Sequence, residues 1–382
     1  MSVTGRRLEL SVIVPAYQAA RCLPTSLEAL SLSDLPRQRW ELIVVDDGSR
    51  DETSDIARTH ADWVMELPHP SRGPSYARNR GAEAARGEWL LFLDADVSVH
   101  RDTLRKFVEA FREDPGVAAV FGSYDDSPPA SGPISTYRNL LHHHVHQLNG
   151  GEAMTFWAGC GAVRRSVFFE VGMFDEWHFS RPQIEDIELG RRLRSMGHRI
   201  LLRPEIQATH LKSWKLLEML VTDFKHRGVP WMRLIVHERT TDGAGLNVRP
   251  LERWCAGLTA FGTLCAVGAP LASAWLLVPA GLSLGFVLTV NRSLYALLGR
   301  KGGLGTAAVG VPLHLAYYLS NCAAAVVGWL AHALLGPPHP PASAAAFHEL
   351  GVTTEPRLPT PPSRSSWHYT EERRGGRRKE VR

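Results

Sequence analysis

Cysteine is scarce in this chain of 382 residues, which contains five cysteines and no C-x-x-C pair. This odd, scattered set excludes a disulfide-stapled scaffold and a cysteine-based zinc site. An excess of charge is also missing. Lysine and arginine outnumber aspartate and glutamate by 43 to 39, and six of the basic residues fall in the last ten positions. The nearly neutral body gives no reason to expect a nucleic-acid partner.

The dinucleotide-binding pattern G-x-G-x-x-G is missing after the first strand candidate, where residues 15–19 read PAYQA. A dinucleotide-dependent oxidoreductase needs those glycines to bring the backbone close to a pyrophosphate. We therefore set that enzyme class aside.

Two long stretches contain no Asp, Glu, Lys or Arg: residues 256–290 and 302–335. At about 1.5 Å per helical residue, such stretches are long enough to cross a bilayer. We expect Pro270 and Pro279 to break the first stretch into a hairpin, and Gly281 with Gly285 to allow close helix approach in lipid. The sequence thus predicts a membrane-embedded region over 246–336, followed by a disordered tail over 337–382 that is rich in proline and basic residues.

Residues 1–245 alternate short β-branched runs with helical patterns, which is typical of an α/β domain whose mostly parallel sheet is flanked by helices. The predicted strands are residues 10–14, 42–45, 63–65, 89–93 and 117–121, and the predicted helices are about 20–31, 52–60, 74–86 and 101–112.

Acidic residues follow two of these strands. Residues 43–49 read IVVDDGS, and residues 89–96 read WLLFLDAD. Ligands of open α/β sheets bind beyond the carboxyl ends of the strands, so carboxylates there can reach a nucleotide. Asp94 and Asp96 point to one side of an extended backbone and can share a divalent cation. For the first motif, a turn followed by a helix cap explains the same residues.

Taken together, these motifs resemble the family 2 glycosyltransferases of the GT-A fold. The matching segments are residues 12–17, 45–49, 78–81 and 94–96, which occur in the family's order. The resemblance covers about the first 240 residues and predicts a GT-A domain, and the two charge-free stretches place transmembrane helices after it.

The resemblance implies a set of site residues. It predicts nucleotide binding by Pro15, Ala16, Tyr17, Asp47, Arg72 and Asp94, and a Mg²⁺ or Mn²⁺ ion held by Asp94, Asp96 and His210. It also predicts a donor and acceptor loop with Trp157, Gly159, Cys160 and Gly161, the acid Glu185 beside it, and Asp186 as catalytic base. Asp46 is expected to be structural. A solvated Arg72, a structural His210, and a turn that places Trp157 in the core remain as alternatives. The histidines of residues 142–146 are interpreted as a solvated helix face.

The predicted function is metal-dependent, inverting transfer of one sugar from a nucleotide-diphosphate donor to a lipid-linked or membrane-proximal glycan acceptor. The enzyme would lie in the inner membrane with its catalytic domain in the cytoplasm. One alternative is a processive polysaccharide synthase. The Gln of the synthases' Gln-x-x-Arg-Trp pattern is absent here, and Arg227 is separated from Trp231. Another is a non-catalytic nucleotide-binding scaffold. The transferase prediction requires Asp47, Asp94, Asp96 and Asp186 to converge on one cleft.

Overall fold

The computed structural model describes residues 8–237, 250–337 and 367–369. The strands are β1 (Leu10–Ala16), β2 (Trp40–Asp46), β3 (Trp63–Glu66), β4 (Trp89–Leu93), β5 (Val97–Val99), β6 (Val117–Tyr124), β7 (Gly151–Ala153), β8 (Cys160–Arg164), β9 (Arg199–His210) and β10 (Trp367–Tyr369). The helices of the first part are α1 (Leu23–Ser31), α2 (Thr53–Arg58), α3 (Pro74–Ala84), α4 (Thr103–Glu113), α5 (Pro133–Gln147), α6 (Arg165–Glu170), α7 (Glu185–Ser195), α8 (Leu216–Val221) and α9 (Val229–His237). A π-helical turn, Thr222–Gly228, joins α8 to α9.

All described strands belong to one ten-stranded sheet in the order β10-β3-β2-β1-β4-β8-β6-β9-β5, with β7 also paired to β9. The half containing β3, β2, β1 and β4 is parallel. Strand β8 runs antiparallel to both β4 and β6, and β9 runs parallel to β6. The predicted α/β class is confirmed, and the sheet is mixed because β8 enters its centre in the reverse direction.

Helices cover both faces of the sheet and bury it between two hydrophobic layers. One layer contains α1 and α4, and the other contains α3, α6 and α7. Helix α4 shows why: Leu104, Phe107, Val108 and Phe111 repeat at helical spacing and are all buried against the sheet. Strand β2 is buried along its whole length, as expected for a central parallel strand.

The C-terminal part is helical, with α10 (Pro250–Gly268), a 3₁₀ turn at Ala274–Leu276, α11 (Leu277–Val290) and α12 (Arg292–Leu335). Helix α12 is kinked at Gly303, where φ is 79°. Among the described residues it is the one helix long and apolar enough to cross a membrane. The predicted hairpin is present, and its break contains Pro270. Pro279 lies in the first turn of α11 and does not interrupt it.

Among the described residues no other helix packs against Gly281 or Gly285, because outside the backbone of α11 itself nothing lies within 4 Å of a Cβ built at either glycine. The close approach occurs at Gly262 of α10, where a Cβ would lie 2.9 Å from the Cβ of Ser283. Nearly all of the predicted tail lies outside the described residues, as does the predicted boundary near residue 245. Within that tail, β10 pairs antiparallel with β3.

Candidate active site

The carboxyl ends of β1, β2 and β4 meet at one edge of the sheet, because the three strands are parallel neighbours. Pro15 and Ala16 are the last residues of β1, and the exposed Tyr17 follows them. Asp47 extends this edge, since its N–H donates to the Ala16 carbonyl at 2.8 Å. Four sequence-predicted residues therefore lie at the edge where a nucleotide would enter.

Asp94 and Asp96 follow β4, and His210 ends β9. Strand pairing sets Val97 opposite His210, so the imidazole lies beside the Asp96 carboxylate, with Nε2 3.6 Å from Oδ2. Burial would raise the pKa of Asp96, but His210 and the nearby charge of Lys212 more than offset it and lower that pKa. The predicted neighbours Asp96 and His210 are thus brought together.

Asp94 faces a different partner. Its Oδ1 accepts a hydrogen bond from Nη2 of Arg78 at 2.7 Å. Burial raises the pKa of Asp94, and the charge of Asp96 adds to that effect. Within the described ranges, no three His, Cys, Asp or Glu side chains form a ready-made metal cluster. Two carboxylates and one imidazole are nonetheless a donor set that suits Mg²⁺ or Mn²⁺, which commonly take few protein ligands and complete their shell with phosphate and water.

Glu185 and Asp186 occupy the first turn of α7. The Asp186 carboxylate accepts hydrogen bonds from the N–H groups of Ala158 at 3.3 Å and Ile187 at 2.8 Å. Burial, aided by the negative charge of Glu185, raises the pKa of Asp186 to about 7. A carboxylate with this pKa is suited to accept a proton near neutral pH.

Arg78 is the central residue that the sequence analysis did not assign to the site. This buried side chain donates to Asp94 at 2.7 Å and to Glu185 Oε1 at 3.0 Å. Burial would lower the pKa of Arg78, but these two carboxylates raise it. Arg78 thereby joins the acids that follow β4 to the acid pair that begins α7. Arg78 lies in residues 78–81, one of the segments that resemble the family, and this resemblance could have indicated its role. An arginine on a helix is usually solvated, however.

Asp47 anchors a loop of its own chain. Its carboxylate accepts hydrogen bonds from the Ser71 hydroxyl at 2.6 Å and from the N–H groups of Arg72 and Gly73 at 3.0 and 2.7 Å. Burial raises the pKa of Asp47, and these hydrogen bonds oppose the rise. The expected convergence of four aspartates is therefore seen in part. Asp94 and Asp186 share the surroundings of Arg78, whereas Asp47 faces the loop at residues 71–73.

The other predicted groups at this edge have local roles. The Asp46 carboxylate accepts hydrogen bonds from the N–H of Ser49 at 2.9 Å and from the hydroxyl of Ser54, in line with the structural role predicted for it. The guanidinium of Arg72 lies 3.8 Å from the ring centroid of Tyr76. Arg72 is therefore held against an aromatic face.

Comparison with known proteins finds a match for the part of the chain that contains Asp47, Arg78, Asp94 and Asp96. Residues 11–172 match the family model described as Glycosyl transferase family 2. The matched domain belongs to the family 2 glycosyltransferases.

Individual relatives agree with this family assignment. Glycosyltransferase AglE of Haloferax volcanii is 28% identical over 53% of this chain and 66% of its own length. The pre-mycofactocin glycosyltransferase of Mycobacterium tuberculosis is 32% identical over 54% of this chain and 44% of its own length. The chain thus spans less than two thirds of either relative.

A solved structure shares the fold of this glycosyltransferase domain. It is the mannosyltransferase PcManGT from Pyrobaculum calidifontis in complex with GDP-Man and Mn²⁺, at 21% identity and a TM-score of 0.50. The match covers 84% of this chain and 87% of that one. The sheet and its helices therefore have a GT-A-like arrangement.

The small-residue segment of the glycosyltransferase domain is not a loop throughout. Cys160 and Gly161 lie in β8, buried and paired with β4, so their placement in a donor and acceptor loop is wrong. Gly161 is required there because a Cβ would lie 2.2 Å from the Trp157 carbonyl oxygen. Trp157 and Gly159 do lie in the connection before β8, where the Trp157 ring packs edge to face against Tyr124.

The interpretation of residues 142–146 as a solvated face is also wrong in part. His146 is buried and packs against the Trp157 ring, with centroids 5.1 Å apart. His142 stacks on Tyr124, because α5 lies between the sheet and the C-terminal helices.

Proposed function

We propose that the chain is an inverting, divalent-cation-dependent glycosyltransferase that moves one sugar from a nucleotide-diphosphate donor to an acceptor hydroxyl at a membrane surface. The observation that carries the proposal is the chain of contacts from Asp94 through Arg78 to Glu185 and Asp186. These contacts hold Asp186, the proposed proton acceptor, near Asp94, one of the acids that would face the diphosphate.

The chemistry assigns the base to Asp186. The acceptor oxygen attacks the anomeric carbon, the bond from that carbon to the diphosphate oxygen breaks, and the electron pair leaves with the diphosphate. The proton of the acceptor hydroxyl passes to Asp186, whose pKa of about 7 matches that task. Attack opposite the leaving group inverts the anomeric configuration.

Asp94, Asp96 and His210 would hold the cation. When bound, the cation supplies positive charge that stabilises the departing diphosphate. The Asp96 carboxylate and the Nε2 atom of His210 are adjacent, which supports this assignment. Arg78 keeps the Asp94 carboxylate at the same edge of the sheet.

An exposed apolar surface on the C-terminal helices supports membrane attachment. Six apolar residues of α10, α11, α12 and the connection between α10 and α11 are each more than 70% exposed: Leu264, Leu271, Trp275, Leu282, Leu304 and Leu334. So large an apolar area on the described helices fits contact with lipid tails. Exposed Leu216 and Leu217 of α8, next to Lys215, fit the headgroup region. We place the acceptor, lipid-linked or glycan, at this surface, and the catalytic domain on the cytoplasmic side of the inner membrane.

The test uses the full chain in detergent with a panel of GDP- and UDP-sugars and a bacterial lipid extract. We expect Asp186→Asn to abolish transfer while donor affinity, measured by calorimetry, stays nearly unchanged. Glu188→Gln is the matched control, because Glu188 lies on the same helix and pairs with Arg192. It should retain transfer. Normal turnover by Asp186→Asn would refute the assignment of the base.

A further inference from the structure

We propose that Asn139 of α5 is a positioning residue for the metal site, holding the imidazole of His210 so that Nε2 faces Asp96. This inference rests on the proposed function, because it requires a cation bound by Asp96 and His210. The inference adds Asn139 to the residues of the site. Asn139 lies outside the two acidic motifs at the ends of β2 and β4, and the family resemblance did not predict it.

The hydrogen bonds of Asn139 define which ring nitrogen of His210 is available. Asn139 is 1% exposed, and its Nδ2 donates to the Lys212 carbonyl at 3.4 Å. This contact turns Oδ1 toward His210 Nδ1, at 2.7 Å. An amide oxygen only accepts, so Nδ1 carries a hydrogen, and Nε2 is the ring nitrogen whose lone pair can bind a cation. Nε2 is the atom that lies 3.6 Å from Asp96 Oδ2.

Other contacts hold the ring and its backbone. The Tyr124 ring stacks on His210 with centroids 4.3 Å apart and planes 9° from parallel. The Leu211 N–H donates to the Asp96 carbonyl at 2.8 Å, which ties the two segments together. These contacts fix the plane of the imidazole and its distance from Asp96. Asn139 determines which ring nitrogen of His210 faces Asp96. Neither the Tyr124 ring nor the Leu211 N–H does so.

Helix α5 extends this support by one turn. Ser135, four residues before Asn139, accepts a hydrogen bond from the Trp214 N–H at 2.8 Å. The segment from His210 to Trp214 is therefore held by two side chains on one face of α5. Other side chains of α5, Leu140 and Tyr137, belong to the apolar cluster that α12 completes. Helix α5 thus connects the C-terminal helices to the proposed metal ligand.

Partners that orient a metal-binding histidine are worth on the order of 10- to 100-fold in metal affinity. We therefore expect Asn139→Leu, which keeps the branched shape and removes the hydrogen bonds, to weaken Mn²⁺ binding by about that factor. Asn139→Asp retains an oxygen acceptor for Nδ1–H and should restore most of the affinity. Asn149→Leu is the matched control, because Asn149 is also buried, just after α5, and its side chain donates only to the Val145 carbonyl among the described partners.

The experiment measures Mn²⁺ binding to the full chain in detergent by electron paramagnetic resonance, with Mn²⁺ alone and with GDP or UDP added. Electron spin echo modulation in the same samples detects a nitrogen ligand. We expect nitrogen modulation in the unmodified chain and in Asn149→Leu, its loss in His210→Gln, and its weakening in Asn139→Leu. Circular dichroism and a thermal melt establish that each variant is folded.

The outcomes separate the inference from the function on which it rests. Unchanged Mn²⁺ affinity and nitrogen modulation in a folded Asn139→Leu would overturn the role of Asn139 and leave the proposed function intact. Equal losses in Asn139→Leu and Asn139→Asp would also overturn it, because the acceptor oxygen would then not matter. Absence of Mn²⁺ binding by the unmodified chain, or binding unaffected by Asp96→Ala, would overturn both the metal site and this inference.

Discussion

Replacing Asp186 by Asn should stabilise the folded protein at the pH where the enzyme works. In the folded chain, burial and the charge of Glu185 raise the Asp186 pKa from its ordinary 3.8 to about 7. The ionised side chain is therefore less favourable in the folded state than in the unfolded state. An asparagine of similar shape carries no such penalty.

The size of the stabilisation by Asp186→Asn follows from the change in the Asp186 pKa on folding. Each pKa unit corresponds to about 1.4 kcal/mol, so a change of this size amounts to about 4 kcal/mol. Asp186 keeps part of its surface in contact with solvent, and screening reduces the figure. We expect Asp186→Asn to raise the free energy of unfolding by about 2–4 kcal/mol above pH 7.

The sign of the pH dependence is determined by the raised pKa. Below about pH 4, Asp186 is protonated in both states and the variant gains nothing. Between that pH and about 7, the unfolded chain is ionised while the folded chain still holds the proton, and the advantage of Asn grows. The pH-dependent contribution of Asp186 to stability is thus present in acid and lost as the pH rises through the folded pKa.

Urea titrations in detergent, followed by tryptophan fluorescence at several values between about pH 5 and pH 8, measure this difference. Glu188→Gln serves again as the control on the same helix and should not gain stability as the pH rises. The reasoning is refuted if Asp186→Asn is less stable than the unmodified chain at every pH, or if its advantage does not grow across that range.

Two further substitutions test the surroundings of the site. Arg78→Met removes the partner of the buried Glu185 carboxylate and of the partly exposed Asp94 carboxylate, and should lower the free energy of unfolding by about 3–5 kcal/mol in urea titrations; an unchanged midpoint would contradict the bridging role. Gly73→Ala introduces a Cβ 2.4 Å from the Ser180 carbonyl oxygen at a φ of 97°, so it should cost about 1–3 kcal/mol and raise the KM for the donor, and unchanged stability and KM would contradict that contact.

The parallel half of the sheet could be predicted from the sequence because its strands are short apolar runs ended by acids or turns. Strand β4 was predicted with its observed bounds, Trp89–Leu93. Strand β8 was missed because the small residues at its start resemble a loop, although Gly161 is required there by the ring of Phe156 and the carbonyl of Trp157. Strand β9 was missed because polar residues and Pro204 interrupt its apolar pattern.

For the candidate site, carboxylates at strand ends could be predicted, but the groups that connect them could not. Arg78 lies sixteen residues before Asp94 and over a hundred before Glu185, and nothing local indicates that it is buried between them. Asn139 lies 71 residues before His210. Such pairs are set by the tertiary fold, for which a single sequence carries no local pattern.

The strand order also determines when the acids after β4 come together as the chain folds. Asp94 and Asp96 are two residues apart, yet the backbone N–H of the first bonds Gly159 and the carbonyl of the second bonds Leu211. Contacts between segments this distant in sequence form slowly, because long loops must close first. We therefore expect the two carboxylates to reach their final positions only after β8 and β9 have joined the sheet. A chain that ends before Leu211 would lack the N–H group that holds the Asp96 carbonyl.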